Sequence, residues 1–153
     1  MSMRVIEFGD TPYEHHFMDD LESFFWLILW CVIEHMDPGS DEHGGSRQRT
    51  QAATSFLSRL NPADLEYAVI TAVKAMLLKY CTDGSKNVRC SIVKKLEACG
   101  NTWANNPVIV DVIIRLGVYF SHITAKVDRF SKCTPAVEFP KIIGIISEGL
   151  KRL

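Results

Sequence analysis

Apolar and polar positions fall in long blocks along this chain, and within the blocks the apolar residues recur with a helical period rather than strand alternation. The densest block is Met18 to Met36, in which all ten residues from Phe24 to Ile33 are apolar. A bilayer span needs roughly 20 such residues, so this shorter run with acidic flanks predicts a helix buried on all sides of a globular domain. Asp19 is expected at its N-cap, with the Glu22 carboxylate reaching back in an acidic variant of the capping box. Asp37-Pro38-Gly39 is expected to stop it, since proline cannot continue a helix and glycine suits the turn.

Five further helices follow from the same period. Ala52, Ala53, Phe56, Leu57 and Leu60 mark a short one over about Thr50 to Leu60. Asn61-Pro62 then restarts the chain, with Leu65, Val69, Ala72, Val73, Met76, Leu77 and Tyr80 on one face, which is expected to lie against the core helix. Asn87 can cap a helix with Val88, Ile92, Val93, Leu96 and Cys99 inward, Lys94 and Lys95 outward and Gly100 at its end. Asn106-Pro107 opens a long helix to about Phe130, in which Val112, Leu116, Tyr119, Phe120, Ile123, Val127 and Phe130 continue one stripe. His122 lies near that stripe, as a hydrogen-bonded core histidine. Pro140 starts a final helix whose apolar set is Ile142, Ile143, Ile145, Ile146, Leu150 and Leu153. Before the core helix, residues 1–17 form an arm whose Val5-Ile6-Glu7-Phe8 patch is either a strand or extended. Residues 37–49 are polar and glycine-rich and read as a mobile surface loop. Six unequal helices and no convincing sheet predict an all-α single domain over residues 1–153.

The segment HHFMDDLESFFWLILW resembles helix F, the central helix of the kinase C-lobe, as it occurs in the fungal-specific protein kinase family. The match to that family's H-x-x-x-D-D-L-E-S-F-F/L-W/Y-x-L-L-W pattern runs over Tyr13 to Ile33, about a seventh of the chain. The resemblance implies a fold like the C-terminal half of a kinase C-lobe. It puts Asp20 in the place of the helix F aspartate, which in kinases accepts hydrogen bonds from the backbone of the catalytic loop, and makes Glu22, Ser23, Trp26 and Trp30 the matching structural positions. The glycine-rich loop, the ATP-anchoring lysine, the H-R-D loop and the D-F-G metal site do not occur in this sequence, nor does A-P-E. Phosphoryl transfer depends on those groups to hold magnesium and the phosphates. The resemblance therefore implies a non-catalytic protein-interaction module, a truncated pseudokinase without cofactor; its variants are an effector acting inside a host cell and a fragment of a split kinase completed by a partner chain.

Charge changes this picture little. The formal net charge of −1 hides a split, −7 over residues 1–50 and +6 over residues 51–153, which suits either docking between two parts of the fold or a basic partner at the acidic end. The scattered lysines do not form the basic face with stacking aromatics that nucleic acid would favour. Five cysteines without a C-x-x-C pair favour free thiols in a reducing, cytoplasmic compartment, with Cys31 a small core residue. No secretory leader or membrane span is visible. The adjacent His15 and His16 have no further ligands at a metal-binding spacing, and Trp103 either folds onto the core or anchors a partner. His15, His16 and Trp103 are thus the candidate partner contacts, the partner being another protein or a second copy of the chain.

Overall fold

The computed structural model describes residues 2–8, 12–38, 49–60, 67–82, 91–124, 130 and 132–153. The described elements are all α-helical: α1 (Met3–Phe8), α2 (Phe17–Glu34), α3 (Gln51–Leu60), α4 (Tyr67–Thr82), α5 (Ser91–Cys99), α6 (Thr102–Asn105), α7 (Pro107–Thr124) and α8 (Pro135–Leu150). No strand occurs among the described residues.

Local chemistry sets these boundaries. The arm is helical rather than extended because the Ser2 hydroxyl caps it, accepting from Val5 N–H at 3.1 Å. α2 starts one turn earlier than the pattern suggests. His16 is its N-cap: His16 Nδ1 accepts from Met18 N–H and the Asp19 carboxylate accepts from His16 N–H. Asp19 is thus the reciprocal partner inside the first turn rather than the cap. Thr50 caps α3 through Ala53 N–H and donates to the carbonyls of Ala98 and Cys99, which ties α3 to the end of α5. Gly100 closes α5 at φ +75°, a left-handed conformation that costs glycine nothing. Asn106 accepts from Val108 and Ile109 N–H and Pro107 opens α7, as its Asn-Pro signal predicts.

Four expectations are corrected. α8 begins at Pro135, not Pro140, which lies inside the helix and has no N–H to bond the preceding turn. α4 packs chiefly on α7 rather than on α2. Its inward set is Lys74, Leu77, Leu78 and Cys81, and Val69 and Met76 are exposed. α2 is not buried all round, since Phe24, Leu27 and Cys31 are exposed. His122 is exposed as well. The restart at Asn61-Pro62, the cap at Asn87, Val88, Val127 and most of the 37–49 loop lie outside the described residues.

The core gathers around Phe25, Leu29 and Ile33 of α2, with Phe120 and Ile113 of α7, Leu78 of α4, and Ile92 and Leu96 of α5 fully buried beside them. Phe25 meets Phe120 with ring centroids 5.6 Å apart. By length and composition α7 would also cross a bilayer; here α4, α8 and α2 pack against it. The α4–α7 approach is close because Gly117 has no side chain: a Cβ there would lie 2.8 Å from Cys81 Cβ and closer still to its sulfur. Tyr119 of α7 donates to the buried Glu138 carboxylate of α8 at 2.6 Å, and Lys141 pairs with the same carboxylate at 2.9 Å.

Alanine at Gly117 improves helix propensity but overfills this contact, so Gly117→Ala is expected to lower unfolding stability in urea by about 1–3 kcal/mol. Adding Cys81→Ala to the same chain removes the sulfur contact but leaves the Cβ contact, so it should recover part of that loss and not all of it. A single variant as stable as the parent would show that α4 and α7 are not held this close.

Candidate functional site

The first turns of α2 carry two carboxylates that the fold takes out of water. Asp19 and Glu22 are each about 1% exposed, and a buried carboxylate is tolerated only where donors replace water. The arm supplies most of them. Asp19 accepts from the Ser2 hydroxyl at 2.9 Å and the Arg4 guanidinium at 3.3 Å, besides its own cap bond to His16 N–H. Glu22 Oε1 accepts from Met3 N–H at 2.8 Å and from Trp26 Nε1 at 2.9 Å, while its Oε2 has no hydrogen-bond partner. Arg4 also donates to the Glu14 carbonyl and lies over the rings of Tyr13 and Phe130, so it clamps the residues leading into α2 as well.

Lys74 reaches this cluster from α4. It is 4% exposed, and its ammonium lies 4.8 Å from the centre of the Trp26 ring. Beside it opens a cavity of about 320 Å³ walled by Ile6, Ser23, Trp26, Trp30, Leu60 and Ile70, with Leu27 at its edge on α2. Burial lowers Lys74 from its ordinary 10.5 to about 8, against the attraction of Glu22, which raises it. Burial pushes the Glu22 carboxyl above its ordinary range, while the Trp26 and Met3 donors and the Lys74 charge pull it back. The two groups are therefore mutually dependent: each charge is sustainable at this depth mainly because of the other. An amine near neutrality beside an aromatic-walled cavity can act as a base or a cation ligand, and here it also fastens α4 to the start of α2.

The sequence-derived residues divide sharply. Ser23, Trp26 and Trp30 line this cavity, and Glu22 is joined to it through its hydrogen bond from Trp26. Asp20 does not; its side chain is 74% exposed and pairs with His15 Nε2 at 3.3 Å. With α2 beginning at Phe17, positions 19, 22 and 26 share the inward side, and a step of one residue carries position 20 round to solvent. His16 is occupied as the cap and stacks on Phe130 at 5.3 Å. Trp103, which a loop was expected to carry, belongs to the short α6. It is 43% exposed and stacks on His35 with ring centres 4.2 Å apart. Below it the buried Asn101 amide donates to the Val32 and Ile33 carbonyls, while the Asp37 carboxylate receives Thr102 N–H, latching the end of α2 to α6.

Sequence reasoning missed Lys74. Its signal is present: Lys74 is the one charged residue between Tyr67 and Leu78. Among the described residues no three His, Cys, Asp or Glu side chains come together to hold a metal ion. No protein-family model, curated protein or solved structure matches this chain.

The lowered Lys74 value has a signed consequence. Between pH 8 and 10.5 the unfolded chain binds a proton that the native state has lost, so stability rises with pH across this window. Replacing the charge by Lys74→Met removes that slope. The stability of the parent relative to Lys74→Met is expected to increase by about 3 kcal/mol from pH 7 to pH 10, followed by urea unfolding. A difference that stays flat over this range would mean that Lys74 is not desolvated.

Proposed function

We propose that this chain is a non-catalytic protein-interaction module, related to a kinase C-lobe, that docks another protein on the uncovered face of α2. The observation that carries this reading is a stripe of the core helix itself. Phe24 is 48% and Leu27 56% exposed, and Cys31 one turn on is exposed too. Asp20 stands before the stripe and Glu34 closes it. Positions 20, 24, 27 and 31 lie on one helix face, the spacing that meets a partner helix or groove through successive side chains. Covering Phe24 and Leu27 would contribute roughly 1 kcal/mol each from apolar burial. The exposed Asp20 carboxylate favours a partner with a basic flank at that end, which adds orientation more than affinity, while Glu34 is already paired with Arg49.

The kinase relationship rests on the D-L-E-S-F-F-W pattern, and the position of Asp20 favours a second reading within it. An exposed aspartate at the start of this helix, in contact with the exposed His15, can exchange that contact for backbone N–H groups of another chain, as the corresponding residue accepts them within a kinase. The alternative is thus a split kinase completed by a partner. In either case the α2 face is the contact.

The exposed Cys31 thiol makes the test direct. A maleimide photo-crosslinker attached there, in extracts of the source cell, is expected to capture a discrete partner, with Cys31→Ser as the control. Leu27→Asp should abolish the capture while leaving helicity and urea stability unchanged, because Leu27 is exposed. Light scattering on the pure chain should give a monomer of 17.3 kDa; a dimer lost in Leu27→Asp would make a second copy the occupant. Undiminished capture by Leu27→Asp, or magnesium-dependent ATP binding by the pure chain, would sink the proposal. Asp20→Ala separates the two readings: it weakens partner binding in the split-kinase case and leaves it unchanged in the other.

A further inference from the structure

On another part of the surface α3, α4 and α5 meet around a separate concavity of about 270 Å³. Its floor is apolar, from Phe56 of α3 and Met76 and Leu77 of α4, and its rim is cationic, from Arg59 of α3 and Lys94 and Lys95 of α5. No carboxylate lines it. Among the described residues Arg59 and Lys94 are exposed and make no ion pair, and Lys95 lies 5.1 Å from the centre of the Tyr80 ring. Across the described spans of α3, α4 and α5 the only carboxylate is Glu97, against four basic side chains besides the buried Lys74. The potential here is positive, and three cations from two different helices converge on one apolar hollow.

We propose that this hollow binds a medium-chain fatty acid, its chain against Phe56, Met76 and Leu77 and its carboxylate at Arg59, Lys94 and Lys95. Charge complementarity selects the head group: a carboxylate gains charge-assisted hydrogen bonds from the guanidinium and ammonium donors, whereas a neutral alcohol leaves the cations unmatched and an amine is repelled. Size selects the tail. The hollow lies near the lower end of ligand-sized cavities, roughly 300–1,000 Å³, which suits a short acyl chain and leaves much of a long one in water. This site is independent of the α2 face, so either proposal can fail alone.

Decanoate titrated into the full chain, followed by calorimetry and by amide chemical shifts, tests the assignment. One equivalent is expected to bind, with shifts concentrated on α3, α4 and α5, and decan-1-ol and decylamine should bind at least about tenfold more weakly. The pair Arg59→Ala and Lys94→Ala should weaken decanoate by about tenfold or more. Ala52→Trp fills the hollow from an exposed position on α3 and should abolish binding with the helical content unchanged. Four results would overturn the proposal: no binding of decanoate at millimolar concentration, equal affinity for the alcohol, binding that survives Ala52→Trp, or binding only to phosphatidylglycerol vesicles, which would point to a membrane surface instead.

Discussion

Two carboxylates must be kept out of water at the start of α2, and most of the fold's arrangement follows from how that is done. Asp19 and Glu22 cannot be buried without donors, and no single neighbouring helix could supply enough of them. The arm contributes Ser2, Met3 and Arg4, α2 contributes the Trp26 indole, and α4 contributes the Lys74 charge. Two other elements, the arm with α1 and the distant α4, are thereby fixed against the first turns of α2. Removing the Arg4 or Lys74 charge would leave a buried carboxylate without its ionic partner, which is costlier than losing the contact itself.

That arrangement sets the rotation of α2 and so decides which side of it is left bare. Once positions 19, 22 and 26 turn inward towards the arm and α4, and Phe25, Leu29 and Ile33 towards α7, the remaining arc carries Asp20, Phe24, Leu27 and Cys31. An apolar arc on the central helix is a surface that function, rather than stability, explains best. At its far end the helix is finished by the Asn101, Asp37 and Trp103–His35 contacts, so both termini are held by neighbours while the middle of one face stays open.

The charge split of the sequence is resolved in two ways. Some of it is spent within the fold, where Glu22 meets Lys74. The rest remains on the surface as the basic rim between α3 and α5, where like charges gather around apolar side chains instead of seeking carboxylates. Elsewhere ion pairs join nearby helices: Arg115 with Glu148 and Arg152 with Asp111 add to the Tyr119–Glu138 link and settle α8 onto α7. α8 nonetheless presents Val137, Ile143 and Leu150 outward, so only part of its isoleucine-rich sequence is used in packing.

What the sequence determined by itself was the local structure. The all-α class, the position of α3, the Asn-Pro start of α7, the Gly100 stop of α5 and the inward set Ile92, Leu96 and Cys99 follow from periodicity and cap chemistry, which act over a few residues. The surroundings of the candidate site were partly legible too, since the motif that singles out Ser23, Trp26 and Trp30, which line one cavity, also singles out Glu22, which accepts from Trp26. Only the tertiary structure decided which way the apolar helices turn. A run such as Phe24 to Ile33 is apolar all round, so its period carries no phase, and the sequence could not tell that Cys31 faces out, nor that the donors of the arm go to Asp19 and Glu22 while Asp20 is left in solvent. The same ambiguity let α4 be drawn with Met76 inward and Lys74 overlooked: a lysine is assigned to the surface by its own hydration, and only a carboxylate brought from a distant helix reverses that preference.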